Sequence, residues 1–430
     1  MPETFAVITL GCKVNQVEGA FLEEALSARG LVRVELGERP EIVVVNTCAV
    51  TGKAAAEGRK LIRRARAARP RLVVVTGCYA QVQPEEVQKA AGGEALVLGH
   101  QEKFAIPEIL SHTGESLRGE IRVSPSEGFR KALPAPLRRF PGHTRAFLRV
   151  QDGCSQRCAY CVVPLARGPS RSLPLPEVLQ QARIFEEEGF QEVVVTGIHL
   201  GAWGRDLSPP ATLVDLLRAL EKVGSFRIRL SSLEVTEVTE DLLSWAATSE
   251  RFCPHFHIPL QSGDDRVLAA MGRPYTGDFY LSVLREIRAR FPKAALGADV
   301  LVGFPGEDEE AFSRTYRLIE ESPLTYLHLF PYSPRPGTPA ATRPRPSPEV
   351  VAERARALRE LAAQKKRAFA RSQEGQLLEV LVERKEGPCW KGTSENYLTV
   401  LFSSPEDLRG RIVPVRVVRA EGTHLWGERV

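Results

Sequence analysis

Asparagine and methionine are scarce in this chain: Asn occurs only at Asn15, Asn46 and Asn396, and there are 2 Met in 430 residues. With arginine far ahead of lysine, that scarcity fits a heat-adapted protein or a GC-rich coding sequence. No stretch approaches the ~20 continuous apolar residues of a bilayer span, which argues against a helical membrane protein. The first residues, Met-Pro-Glu-Thr-Phe, place no basic segment ahead of an apolar run. A secretory signal is therefore not expected, and the chain reads as cytoplasmic. In that reducing compartment the 8 cysteines are expected to be ligands or nucleophiles rather than disulfide partners. The glycine-rich turns form neither a Walker nor a Rossmann motif, so no nucleoside triphosphate or dinucleotide site is expected. What remains is a globular composition, 43% hydrophobic and 26% charged, long enough for two or three domains. The net charge of +5 is compatible with nucleic acid without demanding it.

Three of the cysteines are close together, in Asp152-Gly-Cys-Ser-Gln-Arg-Cys-Ala-Tyr-Cys161, directly after an apolar strand. Thiolates at Cys154, Cys158 and Cys161 suit three irons of a [4Fe–4S] cluster and leave the fourth iron without a protein ligand. The alternative is a structural zinc site completed by a distant ligand, but nothing near Cys161 supplies the second cysteine pair usual at zinc. Three further cysteines each follow a β-branched run: Cys12 after 5–10, Cys48 after 41–45 and Cys78 after 71–75. Helical stretches at about 18–29 and 54–68 intervene. This alternation predicts a parallel sheet with helices on its faces, and ligands of such sheets bind at the carboxyl edge. Cys12, Cys48 and Cys78 would converge there as a second iron–sulfur site, again with one iron unclaimed.

The chain divides into an α/β unit (1–130), a basic linker (131–145), a central unit (146–370) and a tail (371–430). From Arg130 to Arg149 there are six basic residues and no acidic one, either a solvated tether or a strip suited to phosphates. The central unit repeats a strand–helix rhythm. Strands are expected at 146–151, 192–196, 226–231, 255–260, 294–302 and 325–331. Helices are expected at 176–188, 211–223, 237–247, 278–290 and 308–321. Six parallel units suggest a partial (β/α)6 barrel with its site at the carboxyl face. In the tail, short strands at 376–383, 397–402 and 411–418 suit a small antiparallel β-barrel. The tail's charges balance, so only its fold type hints at RNA. His255 and His257 alternate along one strand with Cys253 and are expected to be packed or solvated; Cys253 and Cys389 read as structural. Arg59 through Arg66 reads as a solvated helix face.

Across nearly its whole length the chain resembles the methylthiotransferase family of radical S-adenosylmethionine (SAM) enzymes. The match is carried by Gly11-Cys-Lys-Val-Asn15, Asn46-Thr-Cys48, Thr76-Gly-Cys-Tyr79, the run from Asp152 to Gly168, Thr196-Gly-Ile-His-Leu-Gly201, Ser231-Ser-Leu-Glu234, Pro259-Leu-Gln-Ser-Gly263, the run from Asp299 to Glu307, and Tyr332-Ser-Pro-Arg-Pro-Gly-Thr338. The resemblance implies an N-terminal three-cysteine cluster domain, a radical SAM barrel and a C-terminal RNA-binding β-barrel of the TRAM type. It also implies two [4Fe–4S] clusters, SAM bound at the Cys154/Cys158/Cys161 cluster, and sulfur supplied from the Cys12/Cys48/Cys78 cluster. Gly-Cys-Lys-Val-Asn at 11–15, Cys-Tyr-Ala-Gln at 78–81 and Gly-Ile-His-Leu-Gly at 197–201 look most like the branch acting on C2 of N6-threonylcarbamoyladenosine at tRNA position 37. Isopentenyladenosine and a ribosomal-protein aspartate are the substrates of sister branches. The implied partners are a tRNA anticodon loop and an electron donor such as flavodoxin or ferredoxin, with no membrane, and the protein is expected to be a monomer. The SAM pocket is expected from Gly197, His199, Ser231, Glu234, Gln261 and the Gly303–Glu307 turn. A non-catalytic iron–sulfur or zinc RNA-binding protein is the competing class.

Overall fold

The β-branched runs that follow one another in sequence also pair side by side. A computed structural model describes residues 3–111, 117–140 and 142–430; Pro141 of the linker lies outside them. Strands β1 (Thr4–Thr9), β2 (Val32–Arg33), β3 (Ile42–Thr47), β4 (Leu72–Gly77), β5 (Leu96–Leu98) and β6 (Ile121–Arg122) form one parallel sheet in the order β2-β1-β3-β4-β5-β6. Every residue of β3 and β4 is buried, as happens when helices cover both faces. Val43, Val45, Val73 and Val75 face one layer, which includes α2 (Gly52–Ala67), α3 (Cys78–Val82) and α4 (Pro84–Ala90). Ile42, Val44, Leu72 and Val74 face α1 (Lys13–Ser27) and α5 (Ile106–Ser111). Helix α1 begins at Lys13, well before the expected 18. Its first turn hides a buried Asn15, whose amide donates to Leu10 O (2.7 Å) and Thr47 O (2.9 Å), so the apolar periodicity starts late.

The central region carries β7 (Ala146–Arg149), the short pair β8 (Gln151–Asp152) and β9 (Arg171–Ser172), β10 (Glu192–Thr196), β11 (Arg227–Leu230), β12 (His255–His257), β13 (Ala295–Val302) and β14 (Tyr326–Pro331). β7, β10 and β11 are parallel neighbours, as are β12, β13 and β14. Ile228 N to Arg251 O (2.7 Å) and Cys253 N to Ile228 O (2.8 Å) join the two sets. Six strands thus follow sequence order in an open (β/α)6 arc. The helices are α6 (Val163–Arg167), α7 (Leu175–Glu187), α8 (Leu213–Leu220), α9 (Glu240–Thr248), α10 (Asp265–Met271), α11 (Gly277–Arg290), α12 (Glu309–Glu321) and α13 (Pro348–Arg371). Thr212, Thr239, Asp264, Thr276 and Asp308 each accept a first-turn amide, which fixes where five of them begin. Between helices and strands lies the largest core, with Phe185, Leu217, Val193, Val195, Ile228, Leu230, Phe256, Ile258, Leu296 and Ala298. No helix among the described residues is long and apolar enough to cross a membrane.

The tail closes a barrel in the order β15 (Leu377–Glu386), β16 (Cys389–Ser394), β17 (Thr399–Ser403), β19 (His424–Arg429), β18 (Ile412–Glu421). It is not antiparallel throughout: β17 and β19 run parallel. Five strands cannot alternate direction around a closed ring, so one parallel pair is a topological necessity. The C-terminal barrel seals the amino end of the central strands. Arg227 donates to Glu379 O (2.8 Å) and Thr393 O (3.1 Å), and Arg229 to Glu395 O (3.0 Å) and Ser394 O (3.1 Å). Buried Glu192 holds both arginines, at 2.6 Å and 2.7 Å. Burial pushes the Glu192 carboxyl up, but Arg229 and Arg227 outweigh it and bring it down to about 2 from 4.5. A depressed carboxylate stabilises the fold above its unfolded value and ceases to as pH falls through its folded one. We expect this closure to contribute about 3 kcal/mol at neutral pH, undiminished above about 4.5 and lost toward 2. Hydrogen exchange of β10, β11 and the C-terminal barrel at pH 7 and pH 3 tests it: Glu192→Gln should lose protection there at pH 7 and show a smaller further loss on acidification than the parent.

Three of the six cations between Arg130 and Arg149 are spent within the protein. Arg138 meets Glu188 (3.3 Å), Arg145 meets Glu383 (2.9 Å), and Arg149 lies 3.7 Å from both Glu18 and Asp152.

Candidate functional site

Cys12, Cys48 and Cys78 stand at the carboxyl ends of β1, β3 and β4, which are adjacent in the sheet. Their thiols are near enough that Cys48 responds to the charge of Cys12, and Cys78 to those of Cys48 and Cys12. Glycines make the approach possible. At Gly11 (φ +109°) a Cβ would lie 2.9 Å from Cys48 Cβ, and at Gly77 (φ +94°) one would lie 2.3 Å from Thr47 O. Cys12 is exposed; Cys48 and Cys78 are buried. Burial raises the Cys48 thiol and pushes Cys78 up to about 12.

Cys154, Cys158 and Cys161 occupy the loop between β8 and α6, at the carboxyl end of the arc. Ala159 N donates to Met271 O (2.8 Å) and Cys161 N to Cys158 O (3.0 Å), which fixes the loop. Burial raises Cys158 and pushes Cys161 up to about 12. The remaining cysteines are elsewhere: Cys253 beside Arg229 on the barrel floor, and Cys389 facing Ser403 at 3.7 Å. Each group therefore has three sulfurs and no fourth. Iron–sulfur clusters are held by thiolates, and binding must displace the protons that burial retains, so this donor set fits a cluster with one iron left open.

Arg167 ties the two groups together. It extends from α6 and reaches across to α1. Its guanidinium meets Glu18 Oε1 (2.9 Å) and Asp152 Oδ1 (2.7 Å), and Asn15 Oδ1 lies at 2.5 Å. Glu18 also receives Lys103 Nζ at 2.5 Å. All four charged members of this knot, Arg167, Glu18, Asp152 and Lys103, are buried. Burial opposes charge on Glu18, but Arg167 and Lys103 hold its carboxyl well below the usual range. Asp152, two residues before Cys154, is likewise held down by Arg167 against the cost of its burial.

The residues expected around SAM divide. His199 and Gly197 lie against the ligand loop: His199 Nδ1 is 3.8 Å from Cys154 Sγ, His199 Nε2 is 2.8 Å from Glu237 Oε1, and Gln151 Oε1 accepts from His199 N (2.8 Å). A Cβ at Gly197 would meet the Gln151 side chain at 2.9 Å. Burial lowers the His199 pKa, but Cys154 and Glu237 carry it up to about 10. Glu234 pairs with Arg273, which also donates to Tyr160 Oη (2.8 Å) beside the loop. Ser231 Oγ is buried without a partner, a polar atom awaiting one. Gln261 has a left-handed backbone (φ +65°) and pairs with β13 through Asp299 O. Glu307 is committed to Gly303 N and Arg354 Nη1, both at 3.0 Å, and so anchors α13. Arg273, Glu237 and Glu18 escaped the sequence reading, because each acts through a partner far away in the chain.

Residues 4–99 match the uncharacterized protein family UPF0004, and residues 148–319 match the radical SAM superfamily. The chain is 36% identical over 99% of its length, and 96% of the relative's, to the threonylcarbamoyladenosine tRNA methylthiotransferase MtaB of Bacillus subtilis. It is 35% identical, over 99% of its length and 97% of the relative's, to the tRNA-2-methylthio-N(6)-dimethylallyladenosine synthase of Novosphingobium aromaticivorans. In fold it is similar to the radical SAM methyltransferase TsrM of Kitasatospora setae, solved with cobalamin and a [4Fe–4S] cluster. That similarity has a TM-score of 0.56 at 16% identity, covering 79% of this chain and 77% of the other.

Proposed function

Because the chain belongs to the radical SAM tRNA methylthiotransferase family, an enzyme family that uses a [4Fe–4S] cluster and SAM, we propose that it adds a methylthio group to C2 of N6-threonylcarbamoyladenosine at position 37 of the tRNA anticodon loop. Cys154, Cys158 and Cys161 would hold the cluster that takes SAM; Cys12, Cys48 and Cys78 would hold a second, serving sulfur transfer, with two SAM used per turnover. Bound there, these groups supply the one-electron and sulfur chemistry that an unactivated C2–H demands and that no acid–base side chain provides. The protein's own part is positional. His199, clamped by Glu237, orients Cys154, and Arg273 sets Glu234 and Tyr160 beside the same loop. Arg167 holds the two thiol groups in one rigid frame.

The observation that carries the reading is one buried arginine, Arg167, that joins Glu18 of α1, the helix after Cys12, to Asp152, two residues before Cys154. A pure electron carrier favours clusters with four cysteine ligands. The work would divide among residues 1–130, 146–370 and 371–430, the last binding RNA as a TRAM-type barrel, with 131–145 as the connecting strip. A monomer in the cytoplasm, reduced by a flavodoxin or ferredoxin, completes the proposal. The second reading is isopentenyladenosine-37, favoured by the near-equal identity to the dimethylallyladenosine synthase. Mass spectrometry of tRNA nucleosides from a strain lacking the gene separates them. We expect the methylthio form of threonylcarbamoyladenosine to vanish and its unmethylthiolated parent to accumulate; loss of the methylthio isopentenyl nucleoside instead would establish the second reading.

A further inference from the structure

A cavity of about 230 Å³ opens where β14, α13 and the C-terminal barrel meet, lined in part by Arg145, His328, Lys366, Tyr326 and Tyr397. No carboxylate lines it. Arg145 is engaged by Glu383 at 2.9 Å, but Lys366 forms no ion pair with any described residue. The Tyr397 hydroxyl has no hydrogen-bond partner among the described residues either. An acid-free wall that holds one unpaired ammonium and a free phenol hydroxyl, in a chain with 53 acidic residues to draw on, suits an anionic ligand.

Two of the lining residues, Tyr326 and His328, also touch side chains of the inner face of the arc. Leu296, Ala298 and Val300 of β13 face the helices, so Asp299 faces inward, as does His257 between Phe256 and Ile258. Asp299 Oδ1 accepts from His257 Nε2 (2.9 Å) and lies 3.3 Å from His328 Nδ1. His257 Nδ1 and His255 Nε2 both meet Tyr326 Oη, at 2.9 Å and 2.7 Å. This chain of bonds has His328 Nδ1–H donate to Asp299 and fixes the half-exposed ring; its Nε2 has no partner among the described residues and donates to an anion when the ring is an imidazolium. Val302, the carboxyl end of β13, is three residues beyond Asp299, about 10 Å along a strand. That is a length an N6-threonylcarbamoyl arm can span from a base held at the carboxyl end.

We propose that Lys366 and His328 bind the carboxylate of the substrate's N6-threonylcarbamoyl arm, so that this cavity distinguishes an acidic arm from an apolar N6-alkyl one. The inference rests on the methylthiotransferase reading and adds the residues that select its substrate. A site built to pair a polar group discriminates strongly against an analogue lacking it, because its own donors are left unpaired. Lys366 is exposed on α13, so its replacement leaves the core intact.

The test uses the full, anaerobically reconstituted protein and three anticodon stem-loop RNAs. One carries threonylcarbamoyladenosine, one its methyl ester, and one isopentenyladenosine. We expect Lys366→Ala and His328→Ala to raise KM for the free-acid RNA about tenfold or more, and Lys366→Arg to recover much of it. The parent protein should treat the ester RNA as the alanine variants treat the acid, and the variants should show no further loss on the ester. Equal losses on acid and ester, or no change on either, would overturn the assignment while leaving the enzyme reading intact. A parent protein that modifies only the isopentenyl RNA would instead overturn the substrate reading, and this inference with it.

Discussion

Replacing Arg167 with Met is expected to destabilise the junction between the N-terminal sheet and the SAM-binding loop by about 3–5 kcal/mol, the range for removing one partner of a buried ionic group. The size follows from what is left behind. Glu18 would keep Lys103 at 2.5 Å but lose Arg167 at 2.9 Å, and Asp152 would retain Arg171 at 3.1 Å and a distant Arg149. Both carboxylates are buried, and water cannot replace the missing charge without opening the interface. Arg167→Lys should recover little. One ammonium cannot span Glu18, Asp152 and Asn15 together, which the planar guanidinium does with two nitrogens. Hydrogen exchange is the suitable measurement, since a chain of several units has no single unfolding free energy. Protection should fall in α1, α6 and the loop at 152–161 and remain in the C-terminal barrel. Uniform loss across the chain, or none, would refute this role for the knot.

How much of this was legible in advance depends on the range of the interaction. The N-terminal sheet could be read because β3 and β4 are continuous β-branched runs, and a parallel strand buried on both faces leaves that trace. The three cysteines past β1, β3 and β4 followed from it. The six-strand arc was legible from its strand–helix rhythm, although β12 and β14 are not β-branched runs, and the expected helices at 278–290 and 308–321 start within a residue of α11 and α12. Short elements without periodicity were invisible: β2 and β6 have two residues each, and α10 hides between the turn at Gly263 and the helix at Gly277. The ionic knot was invisible in a different way. Glu18, Lys103, Asp152 and Arg167 look like ordinary charges spread along 150 positions, and only the docking of α1 beside α6 makes them one group. The same holds for Glu192 with Arg227 and Arg229, where a strand-start glutamate meets its partners only once β10 and β11 pair. His255 and His257 read as packed histidines; His255 stacks on Tyr397 at 4.3 Å, and His257 faces Asp299.

The two thiol groups should fail in different ways when each is broken. Cys158→Ala is expected to abolish both SAM cleavage and methylthiolation. Cys12→Ala is expected to leave 5′-deoxyadenosine formation measurable while sulfur insertion falls below detection. The asymmetry comes from location: Cys158 lies in the loop that His199 and Arg273 frame, whereas Cys12 lies on the other side of Arg167, at the edge of the N-terminal sheet. Cys12 is also the exposed member of its group, so its loss leaves the buried pair Cys48 and Cys78 and the surrounding core undisturbed. Iron and acid-labile sulfide content give a readout that does not depend on turnover. Each variant should lose about four irons, the complement of one cubane, and retain the other four. Retention of all the iron by Cys12→Ala would remove the N-terminal site from the chemistry, and loss of both products in both variants would collapse the division of labour into a single centre. Zinc in place of iron, without labile sulfide, would return the cysteines to a structural role and end the catalytic reading altogether.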